Sequence, residues 1–354
     1  MIHLSNRNKI RTSGLLVGLL SLAACSTTPP GTIQGALTGI GSNAAQGSVS
    51  AWGLAWGEAV KGASVSYSPD GTAPGLKAFQ DGQAHFAVGS SPLPDDVAAS
   101  VRGMCTADGA VSFAAGVLPV GVAIKIKDVS DVVLDAPVLA GILEGRITRW
   151  NDPRLLELNP ETDLPDLGIT VLVPEGPSDT VRPVNDYLGR DAGVDWTPAT
   201  PDSLPSTVLG QVSSPPLDLA NKLDDTDGGL SILDGSIIGN RFTAAQLVFD
   251  GKPRRLQATS VVDAVSTGTV QSSARSVVQG LDGRSGYALA TVIYVYVCRQ
   301  YEEPELGRLT QSMAESVLSE EAQKNANAFA FVMSPGKKAI ADARRLISTV
   351  GGGQ

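Results

Sequence analysis

The sequence predicts an α/β fold in two domains, and three observations carry that prediction. Strand-like runs, Gly-rich turns and helical repeats alternate along the chain, the pattern of strands covered by helices. The 354 residues, at roughly 150 per domain, are enough for two domains. The composition, 42% hydrophobic and 18% charged, is that of a globular chain.

Residues 37–40 read as a short strand running into the turn Gly39-Ile40-Gly41-Ser42-Asn43. Residues 44–60 predict a helix, because Val49, Trp52, Trp56 and Val60 recur every three to four positions. Residues 63–67 alternate and predict a strand; a turn over 69–75 follows, then a helix from about Leu76 to Gly82. Residues 84–88 form the next strand, ending in the loop Gly89-Ser90-Ser91-Pro92-Leu93. The apolar run 117–126 predicts a buried strand. A helix opens at Asp135-Ala136-Pro137, where Asp135 can cap and Pro137 fits the first turn. Asp152-Pro153 opens a short helix through Leu158. Residues 169–173 form a strand, and the turn 174–180 leads into a helix reaching about Leu188. From 192 to 275 the pattern weakens: a strand and turn lie within 228–238, and the apolar stretch 261–270 fits either class. Residues 287–298 predict a long strand, and 304–328 and 335–350 predict helices.

Acids outnumber bases 36 to 27, a formal charge of −9, so a phosphate backbone finds no basic surface and nucleic acid is excluded as a partner. The only histidines are His3 and His85. That scarcity excludes His-rich metal sites and most His-dependent catalysis. His85 follows Ala84 in a strand pattern and reads as structural; Ser178 has no His in sequence reach, so a Ser-His-Asp hydrolase finds no support. The acidic run 224–228 lacks EF-hand spacing and reads as a solvated loop. Trp52, Trp56 and Trp150 read as core. No catalytic residue, metal ligand or cofactor is assigned, and the chain reads as a non-enzyme.

Arg7, Lys9 and Arg11 precede an apolar run over 14–24, too short to span a bilayer. It ends in Leu22-Ala23-Ala24-Cys25, followed by Ser-Thr-Thr-Pro-Pro-Gly. This resembles the bacterial lipobox, in which the cysteine is lipidated and becomes the mature N-terminus. A plain signal peptide with a chance cysteine is the alternative. The resemblance implies a leader over 1–24, a lipid on Cys25, a tether over 25–33, and a place on the extracytoplasmic face of the cell membrane. Cleavage would remove three bases and no acid, leaving 24 bases against 36 acids and a charge of −12. It would also leave His85 as the single histidine, and Cys105 and Cys298 as the thiols besides Cys25. In an oxidising compartment two cysteines suggest one disulfide; two buried thiols are the alternative.

At its turns the chain resembles the phosphate-binding lipoproteins of Pst-type ABC importers, in their actinobacterial branch. The resemblance is carried by Leu37-Thr38-Gly39-Ile40-Gly41 with Trp52, and by 71–93 with its Gly-Ser-Ser-Pro-Leu loop. It continues through Leu139-Ala140-Gly141-Ile142, Trp150-Asn151-Asp152-Pro153, Leu158-Asn159-Pro160 and Tyr294-Val295-Tyr296-Val297-Cys298. It covers about 35–190 and 285–350. It implies a type II periplasmic-binding-protein-like fold with two crossover strands, 117–126 and 291–298. Domain one would be 34–120 plus 291–350, and domain two 121–290. A disulfide between Cys105 and Cys298 is implied, as are an ABC permease as partner and a cleft that closes by hinge motion on phosphate or another small oxyanion.

A desolvated oxyanion needs N–H and hydroxyl donors and usually an arginine. The residues at the family's ligand positions are Asn43, Ala44, Thr72, Ser90, Ser178, Asp179 and Thr180. Thr72 keeps a hydroxyl, whereas Ser90 replaces the proton-accepting Asp. The family turn Arg-Ser-Asp-Gly-Ser-Gly-Thr here reads Pro174-Glu175-Gly176-Pro177-Ser178-Asp179-Thr180. The arginine and its acidic partner are absent together, and Asp179 replaces a glycine at the mouth of a helix. Its expected structural role is to cap that helix, whose start Pro183 puts near Asp179 or Thr180. Arg182 is the one candidate to replace the lost guanidinium. Two main classes follow: an oxyanion receptor for an importer, or a divergent lipoprotein on the same scaffold that no longer binds phosphate and serves another small ligand or a protein contact. A neutral or cationic ligand would suit Glu175 and Asp179.

Overall fold

The computed structural model describes residues 34–214, 216–239, 241–267, 269–272, 276–279 and 281–350. The leader, Cys25 and the tether lie outside the described residues. One continuous sheet organises the chain. Its path runs through strands Ala63–Ser68, Gly35–Gly41, Phe86–Gly89, Ala290–Cys298, Ala110–Lys125, Gly229–Asp234, Thr170–Pro174 and Gln211–Ser213. Three strands at each end are parallel to one another, as expected where helices return the chain. The two central strands are antiparallel to each other and to their outer neighbours.

Those two strands are the crossings. Ala110–Lys125 is a 16-residue strand buried over all but its last position. Its first part pairs with Ala290–Cys298 and its last six residues with Gly229–Asp234. It thereby passes from one hydrophobic core, containing Val111, Phe113 and Leu118, to a second containing Val120, Val122 and Ile124. Pro119, which has no N–H to give a ladder, stands where pairing with the return strand ends. The sequence pattern starts this strand at 117; it begins at Ala110, because residues 110–118 pair with the return strand, a partner that the less apolar pattern around Ser112 and Gly116 does not announce. A side chain at Gly116 would meet Val332 and Trp52.

The first core gathers residues from both ends of the chain, including Leu37, Trp52, Trp56, Phe86, Val295 and Ile347. The second gathers the middle, including Leu139, Trp150, Tyr187, Leu247 and Tyr287. Trp52, Trp56 and Trp150 are core. Cys105 and Cys298 are joined in a disulfide at the rim of the first core.

Local signals explain most element ends. Asp135 accepts from the Val138 N–H at 2.8 Å and starts helix Ala136–Leu143, and Asp152 does the same for Pro153–Leu158 through the Arg154 N–H. Helix Thr72–Gln80 begins four residues before the expected Leu76, because Pro74 falls in its first turn, where proline is tolerated. The helical stretch expected over 304–328 is two helices, Pro304–Val317 and Glu320–Ala330. Ser319 between them caps the second by accepting from the Ala322 N–H. The ambiguous run 261–270 is helix Ala258–Thr267 followed by strand Thr269–Ser272.

Candidate functional site

Three turns converge at the C-terminal ends of the parallel strands of the first core, the usual place for a ligand in an open α/β sheet. Close approach requires glycine at each. A side chain at Gly41 would lie 2.0 Å from the Val88 carbonyl oxygen, and one at Gly75 would lie 2.5 Å from Gly41 Cα. One at Gly89 would meet the Tyr296 hydroxyl and the Thr72 methyl. Ser42 is fixed by its N–H, which donates to Val88 O at 2.9 Å, and by its carbonyl, which accepts from the Tyr67 hydroxyl at 2.7 Å. The Tyr296 hydroxyl donates to Ser91 O and holds the third turn. The result is a small wall of hydroxyls: Ser42, Thr72 and Ser90.

The opposite wall is the turn after strand Thr170–Pro174. Ser178, Asp179 and Thr180 are buried. The Ser178 N–H donates to Asp202 O at 2.8 Å, and the Ser178 and Thr180 hydroxyls lie 3.0 Å apart in a hydrogen bond. Asn185, one turn into helix Val181–Asp191, donates to Pro201 O and Ser203 O, so the same loop supports both turn and helix.

Asp179 bridges the two walls. Its carboxylate accepts a short hydrogen bond from the Ser42 hydroxyl and shares the Thr72 hydroxyl between its oxygens, at 3.0 and 3.1 Å. Its backbone carbonyl accepts from the Thr291 hydroxyl at 2.7 Å, on the return strand. The side chain is 4% exposed. This corrects the expectation that Asp179 caps its helix: Thr180 is the N-cap residue, no side chain caps it, and Asp179 points its charge at the other wall. Among the described residues no lysine or arginine pairs with that carboxylate. Hydroxyl donors stabilise it instead. Its effect on neighbours is felt: burial first, and then the Asp179 charge, push the phenols of Tyr67 and Tyr296 far above their ordinary value.

Of the residues predicted from sequence, Thr72 and Asp179 are brought into contact, and Ser178 and Thr180 stand beside Asp179. Ser90 is buried, 7% exposed, and its hydroxyl has no hydrogen-bond partner. Asn43 and Ala44 are half-buried in the 3-10 turn Asn43–Ala45; the hydroxyl that reaches the carboxylate there comes from Ser42. Ser42 and Thr291 were not predicted. Ser42 lay in the quoted turn, and its hydroxyl directly after Gly41 was the available signal; Thr291 carried none. His85 is structural: its Nδ1 accepts from the Thr38 N–H at 2.9 Å. In the acidic run, Asp224 pairs with Lys125 and Arg241, and no metal-binding group of His, Cys, Asp and Glu occurs among the described residues.

A model of the PBP superfamily domain matches residues 26–334. The chain belongs to that family. Two relatives fit the PBP assignment. The phosphate-binding protein PstS 3 of Mycobacterium tuberculosis is 25% identical over 347 residues, covering 88% of this chain and 91% of the relative. PstS 2 of the same organism is 25% identical over 344 residues, covering 88% and 90%. Among solved structures, a phosphate ABC transporter substrate-binding protein from Clostridium perfringens with bound phosphate matches with TM-score 0.60 and 16% identity, over 85% of this chain and 99% of that one. A high-affinity periplasmic phosphate-binding protein bound with phosphate matches with TM-score 0.69 and 15% identity, over 88% and 93%. These likenesses show the fold: a type II PBP-like α/β structure with two crossover strands.

Proposed function

We propose that this PBP-family chain is an extracytoplasmic solute-binding receptor that delivers phosphate, or a closely similar oxyanion, to an ABC permease. In this reading it is anchored through a lipid on Cys25 and performs no chemistry on its solute. The observation that carries it is the hydroxyl cradle of Ser42 and Thr72, which holds an oxyanion, the buried Asp179 carboxylate. Hydroxyls placed to donate to two carboxylate oxygens can donate to phosphate oxygens by the same geometry. The mycobacterial relatives are phosphate-binding proteins by name, which supports phosphate as the solute. Domain one is then 34–120 with 291–350, and domain two 121–290, with the solute between them. Asn43, Ala44, Ser90, Ser178 and Thr180 complete the set of groups around it.

A second reading has an observation of its own. The cradle hydroxyls are taken by the Asp179 carboxylate, and among the described residues no arginine or lysine pairs with it, which favours a scaffold that has left phosphate behind for another role. Thermal unfolding of residues 26–354 in a phosphate series decides between them. Receptor function predicts a Tm that rises with the logarithm of phosphate concentration above Kd, which chloride at equal ionic strength does not reproduce. No rise up to 1 mM phosphate, about a thousandfold above a micromolar Kd, contradicts it.

A further inference from the structure

The receptor reading leaves one feature unexplained: the solute cradle is already occupied, from within. We propose that Asp179 is a tethered anion that competes with the solute for the Ser42 and Thr72 hydroxyls and bolts the cleft shut in the solute's absence. This rests on the receptor reading for the identity of the competitor it excludes, but the bolt itself stands on the geometry alone.

Three residues build the bolt, and they come from the end of one strand, the start of a helix and a crossing strand. The carboxylate accepts from Ser42 at the end of strand Gly35–Gly41 and from Thr72 at the start of helix Thr72–Gln80. The backbone carbonyl of the same residue accepts from Thr291 on the crossing strand Ala290–Cys298. Asp179 itself belongs to the turn that follows strand Thr170–Pro174, whose neighbours pack in the second core. One residue therefore ties the second core's turn to the first core's turns and to a strand that joins both. The turn behind it is braced by Asp202 O and by the Asn185 contacts. Rotation of the carboxylate away would leave the buried Ser42 hydroxyl and the half-buried Thr72 hydroxyl without this acceptor.

Occupancy is also incomplete, in the direction expected of a stand-in. A carboxylate offers two oxygens, and here both are used by Ser42 and Thr72. The Ser90 hydroxyl, in the adjoining turn, is buried and unpartnered. A tetrahedral oxyanion has four oxygens and can serve more donors than the carboxylate does. The tethered group thus has the charge sign and donor preference of the solute and competes as an intramolecular ligand, but has fewer acceptors. Its own negative charge, which among the described residues forms no ion pair with a lysine or arginine, further disfavours a dianion entering while it remains.

The test compares the wild type with Asp179→Gly and Asp179→Asn, as residues 26–354, by calorimetric phosphate titration and by small-angle X-ray scattering without phosphate. The bolt predicts that the wild type is compact without solute. Asp179→Gly should have a larger radius of gyration, should bind phosphate at least tenfold more tightly, and should return to the wild-type radius when saturated. Asp179→Asn, which keeps the size and loses the charge, guards against a glycine variant that fails to fold and should shift affinity in the same direction. An unliganded radius unchanged in both variants overturns the inference, as does an unchanged affinity where the wild type binds phosphate. In either case the receptor reading survives if the wild type binds. If the variants open but none of the three proteins binds phosphate, the bolt stands and phosphate is the wrong solute.

Discussion

Thr72 shows how much one hydroxyl decides. Its sequence position marks it as a kept hydroxyl donor, and in the structure that hydroxyl donates to the Asp179 carboxylate. Because that anion is a buried carboxylate with no cation beside it, each donor is charge-assisted, and such bonds contribute about 1.5–3 kcal/mol. Thr72→Val keeps the shape and removes the donor, so urea unfolding without phosphate should show a loss in that range; a loss below about 0.5 kcal/mol would mean the carboxylate is not held there. Asp179 shows the opposite lesson. From sequence, an acidic residue just before a helix is read as a cap, because capping depends only on neighbours in the chain. Its real partners lie 137 and 107 residues away, and no local pattern encodes that meeting.

At the level of elements, the outer strands and the helices that cover them were legible because each carries a complete local signal: alternation, a cap, a proline in a first turn. The stretch after 191 was not. Strand Gln211–Ser213 is three residues long with two of them exposed, and its place in the sheet comes from its neighbour Thr170–Pro174 rather than from its own apolarity. His85 illustrates how elements are tied. It accepts from the Thr38 N–H of strand Gly35–Gly41 through Nδ1, and its carbonyl accepts from the Tyr301 hydroxyl. Burial holds its imidazole below the usual 6.5, with Glu303 opposing in part. Below about 6.5 the unfolded chain therefore takes up the proton more readily than the folded one. The stabilisation is complete above that value and declines as pH falls toward the folded value. Residues 26–354 contain no other histidine, so the fall in stability that begins as pH drops below about 6.5 should shrink in His85→Asn. A fall of equal size in the variant would assign it to other groups.

Over the whole molecule, the two crossing strands matter most. They make one sheet serve two cores, and the turn carrying Asp179 on the second-core side meets Ser42 and Thr72 on the first-core side. The disulfide between Cys105 and Cys298 secures the first-core end of the return strand and closes a loop spanning 193 residues of sequence. Its removal in a Cys105→Ser, Cys298→Ser double variant should lower stability by about 2–4 kcal/mol. Thiol counting in denaturant should find none in residues 26–354; two would refute the pairing.

The central claim is that a single hydroxyl cradle serves both the solute and Asp179. A crystal structure of residues 26–354 grown in saturating phosphate tests it most directly. The account predicts phosphate bound to the Ser42 and Thr72 hydroxyls, with the Asp179 carboxylate displaced from both. Asp179 still holding both hydroxyls at saturation would contradict it.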